Sequence, residues 1–355
     1  MHTLKEQVPL APFTTLGVGG RANLFAEVTT EQEAREVVEY AKFNDYPLFV
    51  LGGGSNVVIS DLGWPGIVMH VKIKGISQHR EDEHVVYEAG AGEDWDTLVA
   101  TTVAQNYGGL ECMSGIPGSV GGTPVQNVGA YGQEVSDTIY RVTVVDRETA
   151  KIRNLTNTEC GFTYRSSIFN TTQRDRYVVL KVGFSLQWGA APKLEYADLK
   201  AYFDERSTTM PKPTLSDVRE AVREIRRAKS MVLVEGDPNA KSVGSFFKNP
   251  VVPMDRFLKL DGEMQARGLQ MPSYPADEGY KKLSAAWLVE KAGFHKGYVH
   301  GNVGISTKHS LAIINRGEAK ASEIQGFMGV IRDTVATRFG LDLVPEPVFV
   351  GFDQR

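Results

Sequence analysis

The 355-residue chain has two cysteines, Cys112 and Cys160, and no Cys-x-x-Cys pair. That excludes a disulfide framework and a cysteine-based zinc or iron–sulfur site, and no metal site is expected. Long hydrophobic runs are also missing. No stretch approaches the ~18 apolar residues of a membrane-spanning helix, and residues 1–7 lack the apolar centre of a signal peptide. A cytoplasmic location without a membrane partner is therefore expected. Neither sign of charge dominates: 39 Lys and Arg stand against 43 Asp and Glu, a formal net charge of -4. That balance gives no electrostatic reason to expect a nucleic-acid partner. No G-x-G-x-x-G occurs, which argues against a Rossmann dinucleotide site. No internal repeat or low-complexity tract is present, and nothing marks a subunit interface, which is compatible with a monomer.

What remains is the composition of a soluble globular protein of two or three domains, 42% hydrophobic and 23% charged. Thr30 and Glu33 have capping-box spacing, with Ala34, Val37, Val38 and Ala41 following at helical spacing. A short apolar strand at 48–51 runs straight into a glycine loop, an α/β arrangement. Residues 85–89 read as a further strand. Trp95, Leu98, Val99 and Val103 mark a helix ending near Gly108 and Gly109. From 140 to 188 the runs 141–145 and 177–180 predict a more antiparallel unit. A charged stretch, 212–237, contains a basic helix at 218–229 and closes with Asp237-Pro238, where the main boundary is placed. Beyond it two helices are predicted. One spans about 283–292. The other runs from Ser322, boxed with Gln325, to 339, with Gly340 as its stop.

Two glycine-rich stretches invite a ligand. Gly52, Gly53, Gly54, Ser55 and Asn56 follow a strand, so their backbone N–H groups can form an anion-binding nest for a pyrophosphate. A plain tight turn is the other reading, and the P-loop spacing is absent. The second stretch, 115–132, is long, small in side chain and nearly uncharged, so it suits neither helix nor regular strand. Backbone there can approach something large and flat with polar edges, such as an isoalloxazine ring and its diphosphate; an irregular surface loop is the alternative. Neither stretch contains a histidine or cysteine that could bond covalently to a flavin.

Ser245 sits in Gly244-Ser245-Phe246-Phe247-Lys248-Asn249-Pro250, between a residue that permits a sharp turn and two rigid rings. With Phe162-Thr163-Tyr164-Arg165-Ser166-Ser167-Ile168-Phe169 and Leu343-Val344-Pro345-Glu346-Pro347-Val348, it resembles the active-site signature of the UDP-N-acetylenolpyruvoylglucosamine reductase (MurB) family. The resemblance runs nearly end to end, with the motifs in the family's order. It implies an α+β fold: an FAD-binding PCMH-type (vanillyl-alcohol-oxidase-like) domain of two subdomains, 1–72 and 73–229, then a C-terminal α+β substrate-binding domain, 230–355. The last strand is a candidate to return to the FAD part.

The implied reaction is the NADPH-dependent reduction of UDP-N-acetylenolpyruvoylglucosamine to UDP-N-acetylmuramate through noncovalent FAD, in peptidoglycan precursor synthesis. Beyond Gly52 to Asn56, the resemblance assigns Gly118, Ser119, Gly122, Thr123, Gln126, Asn127, Gly129 and Ala130 to the flavin. It assigns Tyr131, Tyr196, Arg226, Lys229, Asn249, Tyr274 and Lys282 to the UDP-sugar. Arg165 is the expected clamp for the substrate carboxylate, since a guanidinium holds both oxygens in one plane. Glu346, stiffened between two prolines, either hydrogen-bonds the developing enolate when protonated or orients Arg165 or a water when ionised. Ser245 is the expected donor of a proton to the α-carbon, with Lys229 and Lys248 as candidate supports. The chain departs from the family pattern in the longer segment 230–242 and in Glu290, where some members carry glutamine. Two other readings stay open, a flavin oxidase of the same fold and a non-catalytic nucleotide-sugar-binding module.

Overall fold

The computed structural model describes residues 4–81, 84–207 and 212–352. The first helix begins where side chains can cap it. Thr30 Oγ1 accepts from the Glu33 N–H at 3.1 Å, and the Glu33 carboxylate accepts from the Thr30 N–H at 3.2 Å, the expected capping box. This helix, α1 (Glu31–Phe43), buries Ala34, Val37, Val38 and Ala41. Contacts over the whole chain divide the protein into two units. One comprises residues 4–9, 21–54 and 64–233; the other comprises 10–20, 55–63 and 234–352. Residues 10–20 and 55–63, which the sequence reading places in a first block of 1–72, thus cluster with the C-terminal segment.

The first unit holds a four-stranded sheet in the order Lys5–Pro9, Arg21–Val28, Trp64–Val71, Leu48–Leu51. The first pair is antiparallel and the others are parallel. Trp64–Val71 lies inside this sheet and is buried continuously from Gly66 to Val71, the signature of a parallel strand covered on both faces. The second sheet is antiparallel, in the order Ile152–Thr156, Ile139–Asp146, Tyr177–Ser185, His84–Gly90, Ile76–Glu81. The two expected runs pair directly, Val142 opposite Val182, and Val182 lies opposite Ala89 on its other side.

Helix α2 (Trp95–Ala104) buries the four predicted residues. It stops at Ala104, short of Gly108, because Asn106 turns left-handed at φ 62, a conformation that asparagine tolerates. Helix α3 (Ala197–Asp204) carries no strong sequence signal and is an addition to the expected elements. Helix α4 (Leu215–Ala228) starts three residues before the expected 218, where Thr214 and Asp217 form a capping box.

In the second unit, α5 (Met254–Gln265) is another helix the sequence reading lacks. Helix α6 (Ala285–Lys291) is capped by Ser284. Helix α7 (Ala321–Phe339) ends at Gly340, left-handed as expected. Its start differs from the expected Ser322–Gln325 box. Asp61 accepts from the N–H groups of Ala321 (2.8 Å) and Ser322 (3.0 Å), while Glu323 accepts from the Lys320 N–H at 2.8 Å. The strand Val348–Val350 pairs in parallel with Val57–Ile59. Leu16, Val18 and Val58 join Phe246, Leu288, Phe327, Ile331 and Leu343 in the core of this unit. No described helix is long and apolar enough to cross a membrane.

Candidate active site

In the first unit Gly52 and Gly53 lie against the second glycine-rich stretch. The Gly53 N–H donates to Ser119 Oγ at 3.1 Å. A Cβ on Gly52 would sit 2.5 Å from that oxygen, and one on Gly53 would sit 2.7 Å from Gly118 Cα. Glycine is therefore required by packing at 53, where the obstacle is backbone. Ser119 opens the short 3-10 turn Val120–Gly122, and Gly121 is pressed against Ala91, with 2.6 Å to an added Cβ. Gly122 differs. The residue is exposed and a Cβ there would meet nothing within 4 Å, so a flat ligand such as FAD can approach its backbone closely. Thr123 donates to Val120 O at 2.8 Å, within its own turn.

Asn127 is 1% exposed and holds the loop together. Its Nδ2 donates to Glu134 (2.8 Å) and to Thr163 O (3.0 Å), and its Oδ1 accepts from Ser136 N–H. Thr163 and Ser166 close a tight turn on each other, and Arg165 rides on it at φ 53. A non-glycine residue in that region is uncommon and strained. The Arg165 guanidinium donates to Gly129 O at 2.6 Å and Asn127 O at 3.4 Å. The neighbouring Ser167 Oγ donates to Val125 O at 2.6 Å. The expected carboxylate clamp is thus aimed by the second glycine-rich stretch itself.

Tyr131, at φ 48, is buried against Cys112, Leu199 and Phe203. Burial pushes its phenol up to about 12. Tyr196, 43% exposed, precedes α3 and meets Tyr131 edge-on, with centroids 5.2 Å apart. At the end of α4, Arg226 is 6% exposed. It donates to the carbonyls of Gly115 (3.2 Å) and Met231 (2.8 Å), and burial lowers its pKa. Among the described residues no carboxylate lies at ion-pair distance from it, though the charge of Asp96 acts on it against the effect of burial. Asp96 accepts from the Gly115 N–H and pairs with both Arg219 nitrogens, at 2.6 and 2.8 Å. Burial raises its pKa, but those bonds outweigh it and hold the carboxyl below the usual range. Lys229 Nζ lies 2.6 Å from Asp198 Oδ2, so its ammonium is paired two residues past Tyr196.

In the second unit Gly244 turns at φ 73, and Phe246 and Phe247 are the expected buried walls. Their backbone runs beside the Glu346 segment. Lys248 N–H donates to Val344 O, and Glu346 N–H donates to Phe246 O, both at 2.9 Å. This antiparallel contact, with Phe247 opposite Pro345, lays the segment that carries Ser245 alongside the segment that carries Glu346. Asn56, expected at the flavin, donates to Glu346 O at 3.3 Å and accepts from the Val348 N–H at 3.0 Å. Ser245 Oγ lies 3.1 Å from His309 Nε2. His309 went unnoticed in the sequence because it stands 64 positions away in no recognisable motif. Tyr274 and Lys282 are directly opposite on antiparallel strands, hence on one face. Asn249 Oδ1 accepts from the Ala285 N–H at the start of α6, and Glu290 is exposed on that helix.

Residues 22–156 match the family model described as FAD binding domain. Residues 237–350 match that of the UDP-N-acetylenolpyruvoylglucosamine reductase C-terminal domain. The chain is 45% identical to the UDP-N-acetylenolpyruvoylglucosamine reductase of Thermobifida fusca, over 98% of each chain. It is 45% identical to that of Nocardia farcinica, over 98% of this chain and 90% of the other. Among solved structures, MurB from Thermus caldophilus matches over 99% of this chain and all of its own. The TM-score is 0.65 at 24% identity, a likeness of fold.

Proposed function

The chain belongs to the UDP-N-acetylenolpyruvoylglucosamine reductase family as an FAD-binding oxidoreductase, and we propose that it reduces UDP-N-acetylenolpyruvoylglucosamine to UDP-N-acetylmuramate. NADPH is the electron donor, FAD is held without a covalent bond, and the step serves peptidoglycan precursor synthesis in the cytoplasm. The observation that supports this reading is the backbone pairing of the two signature segments, in which Phe246 O accepts from the Glu346 N–H one residue after Ser245; in the other unit, Arg165 is bonded to Gly129 O of the second glycine-rich stretch.

FAD, when bound, relays a hydride from NADPH to the β-carbon of the enolpyruvyl group. The chain's own residues do the rest. The backbone at Gly52, Gly53, Gly54, Gly118, Ser119 and Gly122 receives the cofactor, with Asn127 bracing the loop. Arg165 and Glu346 stabilise the charge that builds on the substrate carboxylate, the largest electrostatic requirement of the step. Ser245 gives a proton to the α-carbon. Arg226 attracts the diphosphate as a buried cation, and Lys229 joins it by leaving Asp198. Tyr131, Tyr196, Asn249, Tyr274 and Lys282 complete substrate recognition.

The purified protein should be yellow and should bleach with NADPH under anaerobic conditions. Its colour should return on adding UDP-N-acetylenolpyruvoylglucosamine. Trichloroacetic acid should leave FAD in the supernatant. A colourless protein, or a reduced flavin that the UDP-sugar leaves reduced, overturns the assignment.

A further inference from the structure

A serine hydroxyl is a weak acid, and giving its proton to carbon leaves an alkoxide that needs a fixed donor. The sequence offered Lys229 and Lys248 for that role; among the described residues, His309 Nε2 lies at hydrogen-bond distance from Ser245 Oγ, 3.1 Å away. The contact is built from both sides. The Phe246 N–H donates to Leu311 O at 2.8 Å, tying the residue after Ser245 to the loop that carries His309. That loop joins strands Val303–Ile305 and Ile313–Asn315 and is closed by Ser306 N–H to Ala312 O (2.9 Å) and Ala312 N–H to His309 O (3.1 Å). Buried Asn239 anchors it. Its Oδ1 accepts from Ser306 Oγ (3.1 Å), Thr307 N–H (2.9 Å) and Thr307 Oγ1 (3.2 Å).

The role proposed for Ser245 fixes the direction of its bond to His309. A serine has one proton. If Ser245 donated it to the ring, none would face the substrate. We propose that His309 is the positioning residue that makes Ser245 a proton donor: its Nε2–H donates to Oγ, which turns the hydroxyl proton outward. As the hydride arrives at the β-carbon, the Ser245 proton passes to the α-carbon. Nε2–H then holds the charge on Oγ until Oγ takes a proton from solvent water. This role rests on the proposed reaction, in which Ser245 is the donor.

Two measurements on the FAD-loaded protein test it. In ¹⁵N-histidine spectra, the His309 signal, identified by its loss in His309→Gln, should show a protonated Nε2 that shifts in Ser245→Ala. A bare Nε2 with the proton on Nδ1 overturns the proposal. In anaerobic stopped flow, His309→Leu should slow reoxidation of the flavin by UDP-N-acetylenolpyruvoylglucosamine by about 10–100-fold, the worth of a hydrogen bond to a charged group. Flavin reduction by NADPH should stay within about 2-fold of the unaltered rate on the same grounds, since that step uses no Ser245 proton. His309→Gln, which keeps an N–H donor, should recover most of the loss. In a Ser245→Ala background His309→Leu should add almost nothing. Equal slowing of both half-reactions, or full slowing in the Ser245→Ala background, makes His309 structural and refutes the role. If the unaltered protein is not reoxidised by the UDP-sugar, the reaction itself falls and the catalytic role with it, a result distinct from a failure confined to the His309 variants.

Discussion

His70 shows how one buried side chain sets a pH limit. It lies 7% exposed in Trp64–Val71, with Nδ1 3.8 Å from Glu27 Oε1. Burial, aided by Lys72, lowers its pKa to about 4, against the weaker pull of Glu27 and the Gly52 backbone. In the unfolded chain a histidine titrates near ~6.5. Between those values the unfolded state binds a proton that the folded state does not, so stability is full above pH ~6.5 and falls as pH drops towards about 4. The urea midpoint should therefore fall more steeply with acidification in the unaltered protein than in His70→Gln, and parallel curves would refute this. At this scale Ser245, Glu346 and Arg165 stand out as candidates because their neighbours along the chain restrict them. His309 does not, since its meaning comes from a contact across 64 positions. Asn127 was legible as a residue of the loop, while its role as a brace emerges only from its three partners.

Helices and loops were read as well as their local chemistry allowed. The Thr30 box, the Gly340 stop and the two strands at the centre of the antiparallel sheet follow from short-range pattern. The start of α7 does not, because its cap comes from Asp61. Burial raises the Asp61 pKa, and hydrogen bonds from Ser322 and Ala321 outweigh it and keep the carboxylate ionised. Asp61→Ala should lower stability by about 1–2 kcal/mol, and Asp61→Asn by less, since asparagine still caps. Equal urea midpoints for the unaltered protein and Asp61→Ala would show that the helix start needs no cap.

The glycine loops offer a paired test. Gly53→Ala forces backbone against Gly118 and should destabilise the FAD-free protein by ~1–3 kcal/mol. Gly122→Ala meets no protein atom within 4 Å; it should leave the FAD-free protein's stability unchanged or slightly raised and weaken FAD binding in a fluorescence titration. Unaltered FAD affinity in Gly122→Ala would remove that face from the cofactor site.

At the scale of the whole molecule, the C-terminal segment is an incomplete folding unit. Its core includes Leu16, Val18 and Val58, and its strand Val348–Val350 has Val57–Ile59 as partner. A fragment of residues 234–355 made alone should retain some helical signal but lack a dispersed NMR spectrum, because those apolar groups and that ladder are missing. A dispersed, cooperatively unfolding fragment would refute this. The sequence alone determined what local forces decide. Charge balance, the scarcity of cysteine, helical and strand periodicity, the glycine loops and the signature around Ser245 are all properties of neighbours along the chain. Only the tertiary structure decided which segments build the second unit, which carboxylate caps α7 and which imidazole meets Ser245. Each of those depends on closing a loop of tens to hundreds of residues, and no pattern of adjacent side chains records where such a loop will close.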